Sequence, residues 1–357
     1  MKFEFLTADE ILAKKIPDIT HLIEGLFEED ALIYIAGTPG SAKTMFMLFM
    51  ALCGATKDEM FKVFKIKAPF KTLIIDEENG LKRTKFKLRR LMETMGITSV
   101  KHRVKISCLK GFKIKKDWVQ ELEKIIVKEK PKAIVIDSFV RVFTGDERDE
   151  KAVRAVHNLL KPLIEKYSVT IFILHHLRKE SIRGKFPRTL DDIRGSGDIG
   201  GQCDQAFLLQ RYGIEKDDTK TFKCIPLKEK DGIEGSGFNF KIKGKPGTDE
   251  LRFLWDGTIQ ENIDNALNKT KEDILEWLRK NGNTGCLTDF KTDLKHGNTT
   301  IKNALDEMVD DGILKSSGSG GKGKRNNYSE VLSSPESAGL PSTEEKSTEV
   351  LRSIPEY

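Results

Sequence analysis

The chain has 357 residues, 38% hydrophobic and 32% charged, with 61 Lys/Arg against 55 Asp/Glu. That length holds one large α/β domain and a small module, and the absence of any 18-residue apolar run excludes a membrane-spanning helix. The start, Met1-Lys2-Phe3-Glu4-Phe5, lacks a signal-peptide core, and Cys53, Cys108, Cys203, Cys224 and Cys286 lack paired spacing, so a cytoplasmic protein without zinc is expected. The positive charge is uneven. Residues 1–268 hold 48 Lys/Arg against 40 Asp/Glu, which suits a nucleotide or another polyanion as partner.

Residues 1–25 read as an N-terminal arm, followed by an α/β core over residues 26–258. The apolar run 31–36 leads directly into Gly37-Thr38-Pro39-Gly40-Ser41-Ala42-Lys43-Thr44. A glycine-rich turn between a buried strand and a helix aims successive backbone N–H groups at one point, where the helix's positive end also favours phosphate. All eight residues are expected around a nucleotide. Lys43 reaches its β- and γ-phosphates and the Thr44 hydroxyl ligates Mg²⁺. Ala42 stands where this motif usually has its last glycine. Its methyl group is expected to crowd the phosphate approach while suiting a helical N-terminus, so slow turnover is expected.

Buried-strand signals recur at 72–75, ending in Asp76; at 132–136, ending in Asp137; and at 169–174, ending in His175. Helical stretches alternate with them. In one, Leu88, Leu91, Met92 and Met95 form an i, i+3, i+4, i+7 stripe. Others cover 118–128 and about 150–166. Such alternation implies right-handed crossovers and a mostly parallel sheet, whose carboxyl edge collects the polar strand ends and binds ligands. Short strands at 206–210, 221–226, 238–242 and 251–255 read as an antiparallel extension.

The phosphate loop needs partners to carry chemistry. Asp137, closing an apolar strand before Ser138, suits a Walker B aspartate that holds Mg²⁺ through water. In Asp76-Glu77-Glu78-Asn79 a carboxylate can orient and deprotonate the attacking water, with Glu78 preferred and Glu77 in reserve. His175 and His176 end a third strand near the expected γ-phosphate. Strand register alone decides which of them faces it. Beyond them, Arg178, Lys179, Arg183, Lys185, Arg188 and Arg194 outnumber Glu180, Asp191 and Asp192, a balance suited to sequence-independent contact with a phosphate backbone.

The order of phosphate loop, Ile-Asp-Glu-Glu-Asn-Gly, Ile-Asp-Ser, Leu-His-His-Leu-Arg-Lys and Asp-Ile-Arg-Gly-Ser-Gly resembles the RecA-superfamily ATPases, above all the plasmid RepA-type hexameric helicases and phage helicase-primases. The similarity covers roughly residues 20–258. It implies a RecA-like α/β fold, ATP and Mg²⁺ as cofactors, Glu78 as catalytic base, Asp137 on the metal and His176 as γ-phosphate sensor. It also implies a homo-oligomer, a hexameric ring with ATP between subunits and pore loops gripping single-stranded DNA. Rings of this kind place a Lys-x-Arg pair where a neighbour's γ-phosphate arrives. Here Lys228 and Lys230 occupy those positions, and lysine lacks the bidentate fork of arginine.

After a linker at 259–268, residues 269–331 read as a winged helix: helices at 271–281, 288–294 and 299–311, then a two-stranded wing. Asn298, Thr299, Thr300, Lys302 and Asn303 suit a DNA groove, and Lys322, Lys324 and Arg325 suit phosphates. Asp306, Glu307, Asp310 and Asp311 make the same helix acidic further on, so duplex DNA or a replication protein is the expected partner. The Ser/Pro/Glu-rich residues 332–357 are expected to be disordered. The sequence thus points to an ATP-hydrolysing, oligomeric DNA motor for replication of a plasmid, phage or other mobile element. The alternative is a nucleotide-switched DNA-binding regulator of replication or transcription.

Overall fold

The computed structural model describes the chain except residues 1–4, 16–18, 147–148, 178–189, 191–197, 230–236, 245–247, 249, 319–325 and 332–357. The DNA-contact candidates Arg178, Lys179, Arg183, Lys185, Arg188 and Arg194 fall outside the described residues, as do Lys230, the wing cations and the tail. The chain divides into two compact units, Met1–Asn262 and Ile263–Tyr357.

The first unit opens with helix α1 (Ala8–Ala13), capped by reciprocal bonds between Thr7 and Glu10 and burying no residue. Strands β1 (His21–Ile23) and β2 (Phe27–Glu28) then form an antiparallel pair. Leu22 and Ile23 are buried in the core, so residues 21–25, read from sequence as the end of an arm, belong to the domain itself.

Nine strands form the main sheet, in the order β11-β10-β9-β8-β3-β7-β6-β4-β5. Its parallel part comprises β3 (Leu32–Gly37), β4 (Thr72–Asp76), β5 (Val104–Cys108), β6 (Ala133–Asp137), β7 (Thr170–His176) and β8 (Gln205–Ile214). The extension β9 (Lys220–Glu229), β10 (Phe238–Lys243) and β11 (Arg252–Thr258) is antiparallel. β3, β4 and β6 are buried along their whole length, as strands covered on both faces must be.

Alternate residues of these strands enter two separate cores. Ile33, Ile35, Ile74, Val135, Phe172 and Leu174 pack with α2 (Lys43–Thr56) and α3 (Leu81–Thr94). Leu32, Tyr34, Leu73, Ile134, Ile136 and Ile171 pack with α4 (Lys116–Glu129), α5 (Phe139–Val142) and α6 (Glu150–Tyr167). The result is a three-layer α/β/α domain with a mostly parallel sheet, the architecture expected from the sequence. α2 is apolar on all sides and buried from Phe46 to Ala55, so the helix that carries the phosphate loop is fixed in the interior.

One charged cluster fastens the sheet edge. Glu129 accepts from Lys71 at 3.0 Å and Lys105 at 2.7 Å, and these bonds hold its carboxyl at about 2, below the ordinary 4.5. A carboxyl depressed on folding contributes stability above its unfolded value and loses it as pH falls through the folded one. Glu129→Gln is therefore expected to destabilise the chain at neutral pH, with the gap to wild type narrowing between about pH 4.5 and about 2. Urea melts at several pH values measure this, and a gap independent of pH would refute it.

Residues 259–268, expected as a linker, are the first turns of a continuous helix. Thr258 and Glu261 form a capping box, with N···O distances of 2.7 and 3.0 Å, and the polar residues that follow include neither Pro nor Gly. After α7 (Asp198–Gln202), this helix is α8 (Ile259–Lys280). The second unit packs Ile274, Leu278, Phe290, Ile301, Leu305 and Leu314 together. They come from α8, α9 (Leu287–Asp293), α10 (Asn298–Asp310) and an antiparallel sheet in the order β12 (Gly285–Cys286), β14 (Asn327–Glu330), β13 (Leu314–Ser317). The acidity beyond α10's midpoint is partly neutralised, because Lys271 pairs with Glu307 at 2.8 Å and with Asp311 at 3.8 Å.

Candidate nucleotide-hydrolysis site

The carboxyl edge of the parallel sheet brings the polar strand ends together by register. Gly37 of β3 pairs with His176 of β7, and Asp76 of β4 pairs with Asp137 of β6. β7 lies between the phosphate-loop strand and the Asp137 strand. The loop itself is shaped by close approach. A Cβ on Gly37 would lie 2.3 Å from Ser41 Oγ and 2.5 Å from the Leu209 carbonyl of β8, so only glycine fits.

Ala42 takes a left-handed conformation, φ 64° and ψ 18°, as the N-cap of α2. The sequence reading placed its cost at the phosphate and none at the helix start. The structure adds a backbone cost at the helix start, since an L-residue in this region is strained by about 1 kcal/mol or more. Ala42→Gly is expected to raise unfolding free energy by about 1 kcal/mol. Chemical denaturation reads it, and a destabilised variant would show that the loop is held otherwise.

Lys43 is 7% exposed and donates to the carbonyls of Gly37 at 3.0 Å and Thr38 at 3.2 Å. Burial pushes its ammonium down to about 8, against the opposing pull of the Asp137 and Glu78 carboxylates. The Thr44 hydroxyl donates to Asp137 Oδ2 at 2.5 Å. Asp137 is buried, and burial pushes its carboxyl up to about 6, helped by Asp76 and Glu78 and opposed by Thr44 and Lys43. Two hard oxygen donors side by side fit Mg²⁺, which takes one or two protein oxygens and completes its shell with phosphate and water.

The two carboxylates after Asp76 part company. Glu77 accepts the backbone N–H groups of Lys110 at 3.0 Å and Gly111 at 2.9 Å, so it holds a neighbouring loop. Glu78 extends toward His176, with Oε2 at 4.0 Å from Nε2, and is close enough to influence both Lys43 and Asp137. Asp76, which the sequence reading gave no role, builds this turn. Its Oδ1 accepts from the backbone N–H groups of Glu78 and Asn79 and from the Asn79 amide. An aspartate closing a buried strand two residues before Glu78 was the available signal.

The histidines also differ. His175 is buried, stacks on Phe139 at 4.9 Å and donates through Nδ1 to the His176 carbonyl at 2.9 Å. His176 lies opposite Gly37 and beside Glu78, on the phosphate-loop side. Lys228 points inward. Its Nζ donates to the carbonyls of Gly200 at 2.6 Å and Cys203 at 2.7 Å, within its own chain.

A family profile described as an AAA domain matches residues 1–181, a span that contains the phosphate loop, Glu78, Asp137 and both histidines. The chain belongs to the AAA domain family. That membership agrees with the phosphate loop at residues 37–44. No curated protein matches the chain. Two solved structures resemble the chain at low similarity. One is a DnaB-like replicative helicase studied with primase, at TM-score 0.46 and 16% identity, covering 62% of this chain. The chain spans 57% of that helicase's length. The other is a KaiC-like protein from Pyrococcus horikoshii OT3, at TM-score 0.43 and 17% identity, covering 68% of this chain and 99% of its own. Among the described residues of this AAA domain protein, no helix is long and apolar enough to cross a membrane.

Proposed function

We propose that this protein is an ATP-hydrolysing, oligomeric DNA motor of the RepA helicase type, serving replication of a plasmid, phage or other mobile element. The observation that carries this reading is the gathering of Lys43, Thr44, Glu78, Asp137 and His176 at one sheet edge. On binding ATP, Lys43 exchanges its two loop carbonyls for phosphate oxygens, and the loop N–H groups and the positive end of α2 hold the remaining charge. Mg²⁺, when bound, would neutralise charge developing on the phosphates, with the Thr44 hydroxyl as a ligand and Asp137 holding it through water. Glu78 orients the attacking water and takes its proton. His176, beside Glu78, is placed to register whether the γ-phosphate is present.

The cations from Arg178 to Arg194 supply the DNA grip, and the ring places ATP between subunits. The second unit acts as a winged helix. The exposed residues Asn298, Thr299, Lys302 and Asn303 on its α10 face duplex DNA or a replication protein. The test is ATP hydrolysis with and without oligothymidine at low salt, alongside displacement of a labelled strand from a forked duplex. Stimulation that fades with added salt and strand displacement are expected. An ATPase indifferent to DNA would count against the reading.

The inward-pointing Lys228 favours a second reading, a nucleotide-switched regulator in which hydrolysis is not driven across subunits. Sequence-specific duplex binding without strand displacement would select it.

A further inference from the structure

We propose that the outward face of α3 binds single-stranded nucleic acid, with phosphates on Lys82, Lys85 and Arg89 and bases against the apolar surface beside them. The proposal rests on the reading of this protein as a DNA-binding ATPase and adds a second contact surface to it. α3 carries six cations and one carboxylate, Glu93, which falls in its last turn. Lys82 and Arg83 stand in the first turn, where no acid accompanies them and the positive end of the helix dipole disfavours a cation. Folding alone gives no reason for that arrangement. α4, by contrast, mixes acids with its cations and holds a Lys124–Glu121 pair at 3.0 Å. Two of the six α3 cations are engaged by their own chain. Lys87 donates to Asn79 Oδ1 at 3.0 Å, and Arg90 donates to the Glu250 carbonyl at 2.8 Å. Lys82, Arg83, Lys85 and Arg89 are exposed, and among the described residues no carboxylate pairs with Lys82, Arg83 or Lys85.

Lys82, Lys85 and Arg89 follow one another at i, i+3 and i+7, so they form a ridge along the helix with about 5.4 Å between turns. Apolar surface flanks this ridge on both sides. On one side a cavity of about 390 Å³ opens between α3 and β5, lined by Leu81, Leu88, Met92 and Ile106 as well as by Lys85 and Arg89. On the other, the Phe86 ring is 51% exposed, and the Arg90 guanidinium lies 5.3 Å from its centre. A row of cations bordered by apolar surface matches a polymer whose charges alternate with flat apolar groups. Single-stranded nucleic acid has that chemistry, because its phosphates are drawn to cations and every base offers a face that stacks on an aromatic ring. An acidic protein surface supplies the charge without the flat groups. α3 begins three residues after Glu78, so a strand bound on this face lies close to the hydrolysis site.

The test uses the full chain, titrated with labelled oligothymidine and with an abasic oligomer of the same length at several salt concentrations, and records thermal midpoints. One variant combines Lys82→Gln, Lys85→Gln and Arg89→Gln, and the other is Phe86→Ala. The triple variant is expected to bind oligothymidine about 10- to 100-fold more weakly at about 0.1 M salt. Its logarithmic salt dependence should flatten by about 2, from about 0.7 per lost phosphate contact. Its midpoint should equal or exceed that of the wild type, because a cation leaves the positive end of the helix. Phe86→Ala is expected to weaken oligothymidine binding about 5- to 20-fold and to leave the abasic oligomer unchanged. An unchanged salt dependence in the triple variant would overturn the proposal alone, leaving DNA contact to other parts of the chain. A midpoint lowered in step with affinity would assign the cations to the fold and overturn it too. Equal effects of Phe86→Ala on both oligomers, or none on either, would make this a face for any polyanion, an acidic protein included, and equally overturn it. Failure of the wild type to bind oligothymidine would overturn the functional reading, and the proposal with it.

Discussion

Glu78→Gln is expected to lower ATP turnover about 10²- to 10⁴-fold, the usual worth of a positioned general base. Nucleotide affinity should change little, because Lys43 and Thr44 keep their places. The comparison variant is Glu77→Gln. Glu77 is occupied by the N–H groups of Lys110 and Gly111, so its loss should loosen that loop and lower stability more than it lowers turnover. Single-turnover hydrolysis with a parallel binding titration separates these effects. Equal losses of turnover in both variants, or undiminished turnover in Glu78→Gln, would remove Glu78 from the base position.

Lys43→Ala is expected to weaken binding of ATP with Mg²⁺ about 10²-fold and to end measurable hydrolysis, since charge-assisted hydrogen bonds to phosphate are worth about 1.5–3 kcal/mol each. The nucleotide-free chain should respond the opposite way. A cation whose folded value, about 8, lies below its ordinary 10.5 is carried at a cost that is full below about pH 8 and relieved as pH rises from there toward 10.5. The apo variant should therefore be at least as stable as wild type at neutral pH. Calorimetry of the two apo proteins and an equilibrium nucleotide titration measure both halves. Unchanged affinity would show that the phosphates lie elsewhere.

The core of the site was legible because both-face burial writes parallel strands as apolar runs, and the first polar residue after each run marks the ligand edge. Asp76 and Asp137 follow that rule, whereas His176 comes one residue after the first polar position of its strand. Other features depend on partners distant in sequence. The choice between His175 and His176 follows from the β3–β7 register, which hydrophobicity does not encode. The division of labour between Glu77 and Glu78 follows from where the loop at Lys110 and Gly111 passes. The backbone strain at Ala42 was not legible, because the left-handed conformation is imposed by the loop and alanine gives no signal of it. The helix start at Ile259 was within reach, since Thr258-x-x-Glu261 is a capping signature, but a polar composition masked it.

The contact between Gly37 and the Leu209 carbonyl has a consequence for the boundaries of the domain. The AAA domain match ends at residue 181, before β8 begins at Gln205. Yet β8 pairs with β3 over Gln205–Leu208, and its Leu209 carbonyl lies against Gly37 of the phosphate loop. A fragment trimmed to the matched stretch would expose the backbone groups along one side of the central strand, an adhesive edge, and would leave the loop unwalled. The matched stretch is therefore shorter than the sheet that surrounds the phosphate loop. Any recombination that transplants this ATPase must carry the strand beyond the match with it.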